Sequence, residues 1–280
     1  MNWSETFSVT DLLTREFSTP QQRFRSSSHL YVSSFGRCVR EVMLKAANIP
    51  YDEGWQFPPR VRDVMSLGNA YEDDTAKHIK KLVGEGNFST QDRLRNDIWS
   101  GKKDYDIKGI GPDPVTGEPR PLERPIIVEH KATGDKWWDY NASLPKREHV
   151  AQTWLYGELY HELHGVRPRL ILFYRSWGHK AEFDITYDAV TSTVGVKGTI
   201  DGKQVNRSFL ENYPGRRMLF ESAFKMVKSG RPVFPPPPPG SPCDACGCTF
   251  KGAPSCSFYK TCWRMNAERK PEVVVTNTGS

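Results

Sequence analysis

The chain lacks any run of about 18 apolar residues, the least that would span a bilayer, and the expectation is therefore no membrane. Its opening residues, MNWSETFSVTDLL, carry no basic stretch followed by an apolar one, which argues against a secretory leader. A cytoplasmic protein is the expectation, and in that compartment structural disulfides are rare. A strong excess of one charge is also missing. The formal net charge of +6 over 280 residues favours an acidic partner such as nucleic acid without identifying one. Internal repeats are absent. Cysteine is scarce for most of the length, with Cys38 alone until five more crowd into CDACGCTFKGAPSCSFYKTC.

What is present suffices for a core: 37% hydrophobic residues and eight tryptophans. Apolar spacing and capping signals predict helices over 9–17, within 34–49, over 60–83, 146–164 and 213–228. Strands are expected over 88–99, 103–110, 125–131, 169–177 and 180–188. This order predicts an α/β core over residues 1–232 with a helical N-terminal part. A polyproline spacer at 233–241 leads to a Cys-rich segment at 242–267 and a polar, disordered tail at 268–280.

The chemistry concentrates in PIIVEHKAT. Three β-branched residues, Ile126, Ile127 and Val128, run into Glu129, His130 and Lys131. Residues two apart on a strand share a face, so Glu129 and Lys131 project together and His130 points away. Asp113 follows a Gly-rich bend after the preceding predicted strand and could converge on them if the two strands are neighbours. Paired carboxylates repel and call for a cation. Oxygen ligands of this kind suit Mg²⁺ or Mn²⁺, which can polarise a phosphodiester and activate water, with the lysine orienting that water or stabilising developing charge.

GPD followed by IIVEHK resembles the PD-(D/E)xK nuclease superfamily, and two further segments match in order. LGNAYED places Glu72 on the helix before the strands, where the superfamily often carries a metal ligand. AQTWLYGELY places Gln152 and Tyr156 on the helix after E-x-K, like the Q-x-x-x-Y motif of the RecB-like branch; the pair shares a helix face that could touch one DNA strand. The resemblance spans roughly residues 34–180. It implies a restriction-endonuclease-like mixed sheet flanked by helices. Asp113, Glu129, Lys131, Gln152 and Tyr156 would be catalytic. Glu72, Asp113, Glu129 and the His130 main-chain carbonyl would hold metal. It also implies DNA, chiefly single-stranded, as substrate, exonuclease action, and protein partners of recombination or CRISPR-type spacer handling. Arg37, Arg40, Lys136 and Arg147 are candidate phosphate contacts, and Trp137 and Trp138 either stack on bases or cover the core.

The clustered thiols point to a metal centre. A zinc knuckle would use four tail cysteines and leave out Cys38; a [4Fe–4S] cluster would use Cys38 and three others. Cas4-like and AddB-like nucleases carry one cysteine upstream of the nuclease motifs and three downstream. That resemblance favours the cluster, with Cys38, Cys256, Cys262 and, of the remaining three, Cys246. The alternative function is a non-cleaving nucleic-acid-binding protein with a zinc-ribbon tail.

Overall fold

The structure is a computed structural model that describes residues 28–51, 59–112, 116, 118–133, 144–230, 249–250, 253–254, 258 and 261. The N-terminal helix expected over 9–17, the spacer, and Asp113, Lys136, Trp137, Trp138 and the five tail cysteines lie outside the described residues.

The described chain forms an α/β fold around a large mixed sheet. A two-residue strand β1 (Leu30–Tyr31) precedes helix α1 (Val39–Ala46) and the long helix α2 (Pro59–Val83). Six short strands follow: β2 (Phe88–Thr90), β3 (Arg93–Arg95), β4 (Trp99–Lys102), β5 (Tyr105–Ile107), β6 (Ile110–Pro112) and β7 (Pro119–Pro121). Then come β8 (Ile126–Ala132), helix α3 (Arg147–His164), β9 (Arg169–Arg175), β10 (Lys180–Asp188), β11 (Thr193–Ile200), β12 (Lys203–Leu210) and helix α4 (Tyr213–Lys228). Two-residue strands β13 (Thr249–Phe250) and β14 (Ala253–Pro254) pair with each other. Seven strands form one sheet in the order β12-β11-β10-β9-β8-β5-β2. Among the described residues no helix is long and apolar enough to cross a membrane.

The sheet is antiparallel except at its centre, where β8 and β9 run parallel with Lys131 beside Tyr174. A parallel pair needs a crossover, and α3 supplies it. That helix stops at Gly165, whose φ of 72° is the left-handed conformation a glycine adopts at low cost. Helix α4 starts where the Asn212 side chain accepts a hydrogen bond from the Gly215 amide at 2.9 Å.

Alternation along β8 divides the core. Ile127 belongs with Leu155, Leu159, Leu172 and Phe183 under α3. Val128 instead joins Tyr105 and Ile171, against Ala76 and Ile79 of α2. Phe35, Trp99, Trp154 and Phe220 form an aromatic knot in the larger cluster, with Phe35 centred 5.7 Å from each of the others. Gly36 lets the N-terminal segment close on α3: a Cβ there would lie 2.5 Å from the Glu148 backbone. Phe258, from the Cys-rich segment, is fully buried in this same cluster, its ring 5.3 Å from Tyr51.

Two expectations change. The strand expected over 88–99 is divided: Gln91 takes a φ of 56°, and β3 and β4 leave for a separate three-stranded sheet with β1. Strands β11 and β12 were not expected at all.

Candidate active site

Glu129 is 1% exposed, at the carboxyl half of β8. Its Oε1 accepts from Gln152 Nε2 of α3 at 2.7 Å and also pairs with Lys131 Nζ. Glu129 and Lys131 thus share a face, as strand alternation requires. Oε2 is buried and has no hydrogen-bond partner among the described residues.

The acid placed opposite Glu129 is Asp104. Strand β5 runs antiparallel to β8 with Tyr105 beside Val128, so the residue just before β5 falls beside Glu129. Asp104 Oδ2 accepts from the His130 amide at 2.7 Å. The same register puts Ile107, the last residue of β5, beside Ile126, so the chain leaves β5 at the end of β8 away from Glu129. Asp113, the acid expected from the sequence, lies outside the described residues. The available signal was the run KKDYDIK, with an acid at the mouth of a buried strand.

Burial pushes the Asp104 carboxyl well above the usual carboxylate range, and the charge of Glu129 raises it further. Glu129 is likewise raised, chiefly by burial, with Lys131 acting against the rise. For Lys131, burial opposes the charge, but Glu129 and Asp104 outweigh it and hold the ammonium above its ordinary value. Lys131 is therefore cationic at neutral pH.

Glu72 reaches the cluster from α2. Burial raises its carboxyl, its Oε1 accepts from Gln91 Nε2, and its charge is felt at Asp104, Glu129 and Lys131. The main-chain oxygen of Glu72 accepts from Tyr105 Oη at 2.8 Å, and Tyr105 Oη lies 2.8 Å from His130 Nδ1. One hydroxyl proton serves one acceptor, so Nδ1 of His130 carries its own proton and donates to Tyr105. Burial pushes the His130 ring down to about 4, which keeps it neutral. The side chain of His130 thus ties β8 to α2 on the far face, and only its main chain belongs to the site.

Gln152 and Tyr156 do not form an open face for DNA. They are 7% and 3% exposed, and Tyr156 Oη donates to the Lys102 carbonyl at 2.6 Å. Gln152 fixes the Glu129 carboxylate; Tyr156 fixes the segment that presents Asp104. Gly101 permits the second contact, since a Cβ there would sit 2.8 Å from the Tyr156 ring.

Of the candidate phosphate contacts, Arg40 is a correction: it is 5% exposed on α1, inside the fold, with Nε and Nη1 unpartnered. Arg37 is exposed and lies 3.8 Å from Glu41. Arg147 is exposed, 3.4 Å from Glu211, and stacks over Phe209. His149 is half-buried, its Nδ1 2.8 Å from Tyr174 Oη, and burial pushes its ring down to about 2. Cys38 is half-buried at the N-cap of α1, close enough to Arg216 for their charges to interact.

Among the described residues no group of three His, Cys, Asp or Glu side chains is spaced to hold a metal ion by itself. No family model, curated protein or solved structure matches the chain.

Proposed function

We propose that this chain is a Mg²⁺- or Mn²⁺-dependent phosphodiesterase acting on DNA, a nuclease of the PD-(D/E)xK kind with Asp104 in the position first sought at Asp113. One observation carries the reading: among the described residues three acids, Asp104, Glu129 and Glu72, face a single ammonium, Lys131, and one Glu129 oxygen has no hydrogen-bond partner. Such a cluster holds more negative charge than its own residues neutralise, and a bound cation relieves it.

The donors fit a hard ion. Mg²⁺ is commonly held by one or two carboxylates, with waters and substrate phosphate oxygens completing the shell. Two close carboxylates therefore suffice where three are not grouped. Asp104 and Glu129, with the His130 carbonyl, would hold it, with Glu72 beyond. When bound, the ion supplies a polarised phosphate and a water of lowered pKa. The chain's residues do the rest. Gln152 keeps Glu129 in one rotamer. Lys131 retains its proton on Nζ, so it orients the attacking water as a donor and stabilises charge developing on the phosphate, and does not act as the base. Tyr156 and Tyr105 hold the two strands in register around the centre.

The test is digestion of end-labelled single- and double-stranded DNA with Mg²⁺, Mn²⁺ or chelator, beside Glu129→Gln. Metal-dependent release of labelled products that the variant does not yield supports the reading. An inactive wild-type protein refutes it. The distribution of products separates exonuclease from endonuclease action.

The reading includes a [4Fe–4S] cluster on Cys38, Cys246, Cys256 and Cys262. Its support is the burial of Phe258, which lies between Cys256 and Cys262 in sequence, in the core beside Tyr51 near the end of α1. Phe258 thus packs beyond the C-terminal end of the helix whose N-cap is Cys38. In Cys38→Ser, loss of iron, loss of visible absorbance and earlier melting are expected, because metal binding contributes to folding. Zinc content and a wild-type melting temperature in that variant would instead assign the metal to the tail alone.

A further inference from the structure

Of the three described tryptophans, Trp99 and Trp154 are 0% and 4% exposed, and Trp177 is 86% exposed. It occupies a tight turn between β9 and β10, closed by Ser176 N donating to His179 O at 3.0 Å, with Trp177 and Gly178 at the corners. Turn chemistry rewards glycine, asparagine or aspartate at such corners and gains nothing from an indole. The core gains nothing from it either. A large aromatic surface kept in water on a rigid turn is what a stacking platform requires.

The turn stands at the active end of the sheet. Strands β8 and β9 are parallel, Lys131 pairs with Tyr174 and Ala132 with Arg175, and the Thr133 amide donates to the Arg175 carbonyl at 3.0 Å. Trp177 follows the last residue of β9 by two, so the turn lies just beyond Lys131 at the end of the neighbouring strand. The turn is braced from the side. Asp201, in the β11–β12 turn, lies 2.9 Å from His179 Nδ1 and accepts from the Lys180 amide at 3.0 Å. Lys180, the first residue of β10 after this turn, is exposed.

We propose that Trp177 stacks on an unpaired base of the nucleic-acid strand entering the site, making the substrate's single-stranded end, rather than a paired duplex, the part recognised. Every base presents a π face, so this contact carries no sequence preference, and exposed Lys180 beside the turn meets the backbone phosphates. The inference rests on the reading of the site as a DNA phosphodiesterase.

Cleavage kinetics of Trp177→Ala and Trp177→Phe on a labelled oligonucleotide, with and without a complementary strand, test it. The indole contacts so little protein that the alanine variant should melt with the wild type. Its KM on single strands should rise about tenfold or more, the effect of one lost base stack, with kcat unchanged. Phenylalanine should restore much of the loss. In the Glu129→Gln background, single-stranded DNA should quench tryptophan fluorescence less when Trp177 is replaced. A wild-type protein that cleaves, with an alanine variant of equal KM and equal quenching, overturns this inference alone. A wild-type protein that cleaves nothing overturns the phosphodiesterase reading and this inference with it.

Discussion

Asp104 and Asp106 stand two residues apart at β5, and each belongs to a cluster of charge, yet the two clusters balance differently. Asp106 is fully buried, and its Oδ2 lies 2.8 Å from Lys103 Nζ and 3.0 Å from Lys108 Nζ. Lys103 also reaches Asp92 at 3.2 Å. Two acids meet two ammoniums, and the charge closes within the chain. Around Asp104 the acids Glu129 and Glu72 add to its charge, and among the described residues Lys131 is the one cation that opposes them. Proximity of acid and lysine is common to both. What separates a structural pair from a candidate site is the surplus of one sign, because only the surplus asks for something from outside.

The sharpest way to break this comparison is to remove one acid from each cluster. Asp104→Asn and Glu129→Gln should each slow cleavage by about a thousandfold or more, beyond the tenfold to hundredfold typical of residues that only support a metal ligand. Both should stay folded. Asp113→Asn should cleave as the wild type does, since Asp104 takes the role of the second acid. Rates on labelled DNA at saturating Mn²⁺ decide it, and a dead Asp113→Asn beside an active Asp104→Asn would return the role to Asp113.

Asp106→Asn should behave in the opposite sense. It removes the carboxylate that lies between two ammoniums and leaves Lys103, which is 2% exposed, with Asp92 as its remaining acid. Breaking a buried pair from one side costs about 3–5 kcal/mol, or a melting temperature lower by about 10 °C at roughly 2–4 °C per kcal/mol for a chain of this size. The folded fraction should cleave at the wild-type rate. Loss of activity without loss of stability would erase the distinction between the clusters.

Lys131→Ala is the next largest effect. The rate should fall by about 10²–10⁴, the range for a group acting on the water or the developing charge. Metal affinity should not fall, because the variant removes a cation that competes for Glu129. Calorimetric titration beside the rate assay checks both halves, and an unchanged rate would leave Lys131 a partner of Glu129 only.

Local patterns showed much of this. Three β-branched residues marked β8, period-two alternation joined Glu129 to Lys131, and the bounds of α2, α3 and α4 followed from apolar spacing and their stop signals. Pairing was less visible. Whether β5 runs with or against β8 decides which acid meets Glu129, and no short stretch of sequence fixes that direction. Strands β11 and β12 were hidden because Gly195 and Gly198 interrupt the alternation; Gly198 packs so close to the β10 backbone that a Cβ would lie 1.8 Å from the Glu182 carbonyl oxygen. Asp201-Gly202, with φ of 48° and 79°, was the hairpin signal that could have found them. Gln152 was singled out as a DNA contact when its partner is Glu129, because a helix periodicity gives a face but not what covers it.

The smallest effect is also the most direct measure of surplus charge. In the metal-free protein the Asp104 and Glu129 carboxyls lie above their ordinary values, so the folded state binds protons more tightly than the unfolded chain. The stability they contribute is fully present below the ordinary carboxylate range and is lost as pH rises through their raised values. Asparagine at 104 cannot ionise, yet its carbonyl can still accept from the His130 amide. In chelator, Asp104→Asn should therefore melt above the wild type at pH 8, and the gap should close as the pH is lowered to 5. Mn²⁺ should raise the wild-type melting temperature at pH 8 and leave the variant nearly unmoved, because the ion binds where the surplus was. Melting curves at the two pH values, with chelator and with Mn²⁺, give all four points. A wild type that outlasts the variant at pH 8 without metal would mean that the Asp104 carboxylate is held for its hydrogen bond to the His130 amide, and the cluster would then be no different in kind from the one at Asp106.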